Sequence, residues 1–89
     1  MSTRHKVSFT DKATGDIDNL SDKEYKRIIK GCLRFETDPY PDGKHIKKLK
    51  GYQDLYRLRI GNYRGIFQWK GEDIIVIRVL TRQDFGKKY

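Results

Sequence analysis

The stretch LYRLRIGNYRGIF, residues 55–67, decides the fold, because it has the pattern of two strands joined by a tight turn. Apolar and polar side chains alternate along its first half, which is the period of a half-buried strand. Gly61-Asn62 is typical of a two-residue hairpin turn, and such a turn predicts that Arg59 stands directly opposite Arg64. Arg57 shares a face with Arg59, so the hairpin presents one apolar face and one face rich in arginine.

Further strands flank this hairpin. Residues 74–80 are almost continuously apolar and predict a central strand, which follows a turn at residues 70–73. Residues 5–10 alternate between polar and apolar and predict a first strand. Residues 45–51 are mostly basic and are expected to form a connection that leads into the hairpin.

Two helices are expected between the first strand and this connection. Apolar residues at positions 13, 17 and 20 predict a short helix capped by Thr10 or Asp11. Ser21 and Glu24 form a capping box that opens a second helix, and the Asp38-Pro39 segment ends the helical half. We therefore expect one α+β domain, residues 1–89, with a strand, a two-helix hairpin and a three-stranded antiparallel meander, the helices packed on one sheet face.

The charge of the chain is concentrated in one region. Lysine and arginine number 20 against 12 aspartates and glutamates, a net charge of +8, and residues 42–70 hold 8 basic and 2 acidic residues. A surplus of this size predicts an anionic partner such as nucleic acid. Outside the hairpin, the residues expected to bind RNA are Lys47, Lys48, Lys50, His45, Arg78, Lys87 and Lys88, with a carboxylate as the alternative partner of Arg78.

Other kinds of site find little support in the sequence. No cysteine or histidine cluster has metal-ligand spacing, so we expect no metal and no cofactor. Cys32 falls among apolar residues at helical spacing and is expected to be buried. No apolar run approaches the length of a membrane span, and residues 1–6 lack the hydrophobic segment of a signal peptide. We therefore expect a cytoplasmic protein that makes no contact with a membrane.

The facing arginines are the strongest indication of chemistry. Like charges directly opposite on a sheet destabilise it by a few tenths to about 1 kcal/mol, so stability does not favour Arg59 opposite Arg64. A phosphate bound between them would offset this repulsion, because guanidinium groups are planar donors that stay charged and match phosphate oxygens. Arg82, just beyond the last strand, is expected to reach the same anion. The alternative is a sheet face that arginines merely keep soluble.

Three pieces of sequence together resemble a known family. They are Lys48-Leu49-Lys50-Gly51, the stretch DLYRLRIGNYR at residues 54–64, and Ile77-Arg78-Val79 followed by Arg82. In this order and spacing they resemble the RelE/ParE superfamily of type II toxins, over almost the whole chain. The resemblance implies a prokaryotic, metal-independent ribonuclease that cuts messenger RNA in the ribosomal decoding site. It also implies an antitoxin partner with an acidic segment, with a heterotetramer of the two proteins as one assembly.

The resemblance further implies a set of catalytic residues. By position these are Arg57, Arg59, Arg64, Arg82 and Tyr89, although Tyr89 lies one residue further from Arg82 than the family tyrosine. RelE has lysines at the first two positions, and an arginine is rarely deprotonated, so the general base is left open. The candidates are Tyr89, His45, Lys48 and Lys50.

Two other functions remain open at this point. One is that of the ParE branch, which inhibits DNA gyrase without nuclease chemistry. The missing lysines favour that branch, whereas the presence of Arg57, Arg64 and Arg82 together favours the nuclease. The other is a basic module that binds RNA or ribosomes without catalysis.

Overall fold

The computed structural model describes residues 5–36 and 40–89, so the predicted helix stop at Asp38-Pro39 lies outside the described residues. The α+β class and the order of strand, two helices and meander are confirmed. In chain order the elements are β1 (Lys6–Phe9), α1 (Asp11–Asp18), α2 (Asp22–Leu33), a 3-10 helix (Arg34–Glu36), β2 (Ile46–Lys48), β3 (Leu55–Ile60), β4 (Tyr63–Lys70), β5 (Asp73–Thr81) and α3 (Arg82–Lys88).

The described strands form one sheet of five strands in the order β1-β5-β4-β3-β2. The three consecutive strands β3, β4 and β5 pair antiparallel as predicted, and β1 joins the outer edge of β5 in parallel. Two expectations were wrong. Residues 45–51, expected to be only a connection, contain the edge strand β2, whose Ile46 is fully buried opposite Leu58. The central strand is β4 and not β5, since β2 extends the sheet on the far side of β3.

Both predicted helix starts are confirmed by their caps. The Thr10 hydroxyl accepts a hydrogen bond from the Ala13 backbone N–H at 3.2 Å, and the Ser21 hydroxyl accepts one from the Glu24 N–H at 3.3 Å. Each bond satisfies a backbone donor that the first helical turn leaves without a partner. The chain therefore enters α1 and α2 at the positions that the sequence indicates.

The core lies between α1, α2 and one face of the sheet. Cys32 is buried, as predicted, together with the apolar faces of both helices and the inward side chains of the strands. A Cβ atom added at Gly31 would lie 2.9 Å from Ile60 Cδ1, so only glycine allows α2 to approach β3 this closely at that point. The core residues are Ala13, Ile17, Ile28, Cys32, Phe35, Ile46, Leu58, Ile60, Phe67, Ile74, Val76 and Val79.

None of the helices within residues 5–36 and 40–89 has the length and apolar character needed to cross a membrane.

Candidate anion-binding site

The arginine face predicted from the hairpin is present in the structure. The register of β3 and β4 places Arg59 opposite Arg64 and Arg57 opposite Ile66. Residues that pair directly point to the same side of a sheet. The side chains of the three arginines therefore project from one face, and that of the buried Leu58 projects from the other. The register predicted from Gly61-Asn62 is therefore confirmed.

Arg64 lies at the centre of this face and is only 9% exposed. Its Nη1 atom donates to the backbone carbonyls of Gly61 at 3.0 Å and Tyr63 at 2.9 Å, which fixes the guanidinium group against the hairpin turn. Burial lowers the pKa of Arg64, and the positive charges of Arg57, Arg59 and Arg82 lower it further. An electrostatic effect of this kind requires that all three cations lie near Arg64.

Arg82 reaches this face because α3 begins beside the hairpin turn. The Arg82 backbone N–H donates to the Asn62 carbonyl at 2.8 Å, and Thr81 caps the helix by accepting from the Asp84 N–H at 3.1 Å. The β3–β4 turn thus holds both the guanidinium of Arg64 and the first residue of α3. The structure brings together the four arginines that the sequence analysis selected.

An open groove of about 350 Å³ continues this face toward the edge of the sheet. Its walls combine basic and aromatic side chains, and Tyr89 stacks on Phe85 with ring centroids 5.5 Å apart. Tyr52, from the loop between β2 and β3, also lies beside Tyr89, with their ring centroids 5.4 Å apart. The residues that line the groove are Lys47, Lys48, Leu49, Lys50, Arg57, Phe85 and Tyr89.

His45 lies at the edge of the face. Arg57 Nη1 donates to the carbonyls of Lys44 at 3.3 Å and His45 at 3.2 Å, so the turn before β2 is tied to the arginine face. Burial lowers the pKa of Arg57, the charge of Arg59 lowers it further, and the Asp42 carboxylate opposes both effects. His45, Asp42 and Arg57 therefore form one connected group.

Arg78 is separated from the other arginines by its own ion pair. Its Nε and Nη2 atoms donate to the Asp16 carboxylate at 2.8 and 3.1 Å, and this carboxylate also accepts from the Val79 backbone N–H at 2.9 Å. The hydrogen bond to Asp16 raises the pKa of Arg78, with a smaller contribution from Tyr89. Arg78 is thus engaged by α1 and is less available to an anion than Arg64.

The remaining predicted residues are spread around these features. Lys47 is exposed on β2 directly opposite Arg57, and Lys48 and Lys50 line the groove. Lys87 and Lys88 are exposed in the last turn of α3 and do not line it.

Three residues that contact this region were not predicted from the sequence. Asp16 and Asp42 hold Arg78 and His45, and Arg27 of α2 lies so close to Gly61 that an added Cβ would be 2.6 Å from its Nη2 atom. The dipeptide Asp42-Gly43 is a turn signal that could have indicated the role of Asp42. The other two contacts join distant parts of the chain and leave no local pattern.

Among the described residues, no three histidine, cysteine, aspartate or glutamate side chains are grouped so that they could hold a metal ion.

Comparisons with known proteins agree with this geometry. A family model described as "ParE toxin of type II toxin-antitoxin system, parDE" matches residues 7–84. The chain belongs to the RelE/ParE superfamily of type II toxins. It is 53% identical to toxin RelE3 of Methanocaldococcus jannaschii over 62 residues, which cover 68% of each protein.

Solved structures of this superfamily share the fold. A chain of a RelB-RelE antitoxin-toxin complex from Methanococcus jannaschii matches with a TM-score of 0.72 and 31% identity, over 91% of this chain and 96% of that one. The archaeal RelE-RelB complex from Pyrococcus horikoshii OT3 gives 0.73 and 29%, over 92% and 97%. The toxin-antitoxin complex RelBE2 from Mycobacterium tuberculosis gives 0.78 at 19% identity, over 92% and 95%, which is a likeness of fold alone.

Proposed function

We propose that this type II toxin cleaves messenger RNA on the ribosome, with the arginine face as the place where the scissile phosphate binds. The proposal depends on one observation, the convergence of three further arginines on the buried Arg64 on one face of the sheet. Repulsion among the four cations destabilises the free protein, and a bound anion removes this repulsion. A phosphate diester is an anion of the right size and charge for such a cluster.

The proposed reaction is an attack of the ribose 2'-oxygen on the adjacent phosphorus. The phosphorane that forms carries extra negative charge on its oxygens, and donors fixed in place before the reaction stabilise it most strongly. Arg64 is held by two carbonyls, which still leaves donors at Nε and Nη2 for the phosphate oxygens. Arg57, Arg59 and Arg82 supply the surrounding positive charge.

We propose a RelB-like antitoxin as the partner. The archaeal relatives at 31% and 29% identity were solved as complexes of RelE with RelB. A segment that neutralises the arginine face must carry carboxylates, because residues 42–70 hold 8 basic and 2 acidic residues. The antitoxin is therefore expected to place an acidic stretch over this face and to compete with RNA.

The direct test is an mRNA cleavage assay with translating ribosomes. The native chain should produce cuts that primer extension detects, and Arg64→Gln or Arg82→Gln should reduce the rate by about 100-fold or more, as expected on loss of a group that stabilises developing charge. Lys26→Gln removes the same charge from the exposed side of α2 and should leave the rate within about 2-fold of the native rate. Intact messenger with the native chain would refute the proposal.

The ParE branch is the second candidate, because the matching family model is described as that of the ParE toxin. A gyrase inhibitor would block supercoiling of plasmid DNA in the presence of purified gyrase and would leave messenger intact. Binding to ribosomes with neither effect would indicate a module without catalysis. The two assays performed side by side distinguish the three functions.

A further inference from the structure

Asp42 and His45 form a pair that the fold of the turn before β2 holds in place. One oxygen of the Asp42 carboxylate, Oδ1, accepts backbone hydrogen bonds from Lys44 at 2.9 Å, His45 at 2.7 Å and Ile46 at 3.0 Å. These bonds, that to Ile46 foremost, lower the pKa of Asp42 well below its usual range. The second oxygen, Oδ2, lies 3.3 Å from His45 Nδ1. The carboxylate is thus fixed and ionised, and the imidazole ring is turned toward it.

This contact determines which ring nitrogen of neutral His45 can accept a proton. An ionised carboxylate is an acceptor only, so we assign the hydrogen to Nδ1. Nε2 then carries the lone pair of the neutral ring. The His45 side chain is 48% exposed, so that nitrogen is accessible to a bound molecule.

His45 is also joined to the arginine face through its backbone. The Arg59 N–H donates to the His45 carbonyl at 2.7 Å, which continues the pairing of β2 and β3 by one residue. His45 therefore stands opposite Arg59, which in turn stands opposite Arg64. This row of His45, Arg59 and Arg64 thus joins the His45–Asp42 pair to the most buried arginine of the face.

The arginine face lacks a base of its own. Guanidinium groups do not lose their protons at physiological pH, and phenols in general have a pKa of about 10. Histidine is the side chain that changes its charge between pH 5 and 8, and a general base works best in that range. His45 is the histidine that the fold places beside the arginines, whereas His5 contacts Tyr40 and Trp69.

We propose that His45 is the general base of this ribonuclease and that Asp42 is its positioning residue; the inference rests on the proposed function. His45 Nε2 takes the proton of the ribose 2'-hydroxyl, and the 2'-oxygen forms a bond to phosphorus. The bond from phosphorus to the 5'-oxygen breaks, and this oxygen takes a proton from solvent water. The products are a 2',3'-cyclic phosphate and a 5'-hydroxyl, and the imidazolium returns its proton to solvent.

Several charged groups lie around this pair. Asp42 has Arg34 Nη2 at 4.0 Å, and Arg57 acts on the same carboxylate. Arg59 lies across the strand pairing from His45. The Asp42 carboxylate therefore lies beside the ring among cations that help to hold it in place.

The test compares His45→Gln, Asp42→Asn and Lys44→Gln with the native chain in the ribosome assay between pH 5 and 8. His45→Gln should lose about 100-fold in rate together with the rise in rate with pH, which is the usual contribution of a general base. Asp42→Asn keeps an oxygen for the turn and should lose about 10-fold in kcat with little change in KM, because its amide can donate to Nδ1 as well as accept and so no longer fixes the tautomer of His45. Lys44→Gln alters an exposed side chain in the same turn and should match the native chain.

Affinity is measured separately with a 2'-deoxy oligonucleotide that cannot be cut. His45→Gln should bind it within about 2-fold of the native chain, because a base contributes to the chemical step and little to binding. Native rate and native pH dependence in His45→Gln, with Arg64→Gln inactive, would overturn this inference and leave the proposed function in place. A native chain that does not cut messenger would overturn both.

Discussion

Replacement of Arg59 by glutamine should stabilise the fold and weaken the binding of RNA at the same time. Arg59 is exposed, stands opposite Arg64, and its side chain makes no hydrogen bond to any described residue. Its charge lowers the pKa of both Arg57 and Arg64, so it repels two neighbours in the free protein. Arg59→Gln therefore removes this repulsion without the loss of a favourable hydrogen bond.

The size of the effect follows from the register. A directly opposed like-charge pair costs roughly 0.2–1 kcal/mol, and Arg59 opposes Arg64 while it also acts on Arg57, so we expect a gain of about 0.5–1 kcal/mol at low salt. For a domain of this size, 1 kcal/mol corresponds to about 4–8 °C in Tm, which predicts a rise of roughly 2–8 °C. Screening should reduce the rise as salt is added.

Circular dichroism melting at low and high salt measures the stability, and salt titration of binding to single-stranded RNA measures the lost contact. The slope of log affinity against log salt should fall by about 0.7, the value for one phosphate contact. Arg59→Lys keeps the charge and should melt like the native chain, and Lys26→Gln tests loss of a charge from α2. A Tm of Arg59→Gln at or below the native value at low salt would refute the claim that the arginines repel one another.

Two further predictions concern the scaffold. Asp16→Ala should lower the free energy of unfolding by about 2–3 kcal/mol, because it removes a charge-assisted bidentate bond to Arg78 and leaves the N–H of Val79 without its partner. Urea unfolding measures this loss, and the exposed Asp18→Ala is the control that should not show it. Equal effects of the two changes would contradict this role of Asp16. Gly31→Ala should lower the free energy of unfolding by about 1–3 kcal/mol, since its Cβ would lie 2.9 Å from Ile60 Cδ1. Thermal melting measures this loss, and Gly15→Ala, whose added Cβ meets nothing within 4 Å, is the control. Equal melting points of the two variants would refute the close approach of α2 to β3.

The errors of the sequence analysis have identifiable causes. Strand β2 escaped prediction because it has one apolar residue, Ile46, between basic neighbours, and three residues are too few for a period to emerge. Helix α3 was not predicted as an element, because its apolar content is a single half-buried Phe85. Its start depends on the Thr81 cap and on the bond from Arg82 to Asn62, which is a tertiary contact.

The sequence by itself determined the arginine face. Alternation along β3 and the turn at Gly61-Asn62 act over a few residues, so they fix which side chains share a side and that Arg59 meets Arg64. The caps at Thr10 and Ser21 are local in the same sense. Such features are readable because neighbours along the chain are also neighbours in space.

Only the tertiary structure decided what surrounds that face. Arg78 and Asp16 are 62 positions apart, and no sequence pattern in either segment predicts that these two residues pair. Tyr89 reaches the groove because α3 folds back over the sheet, and the orientation of His45 depends on a carboxylate that three backbone groups hold in place. Contacts between distant segments form when the packing of the core brings their elements together, so the packing selects which charged groups meet.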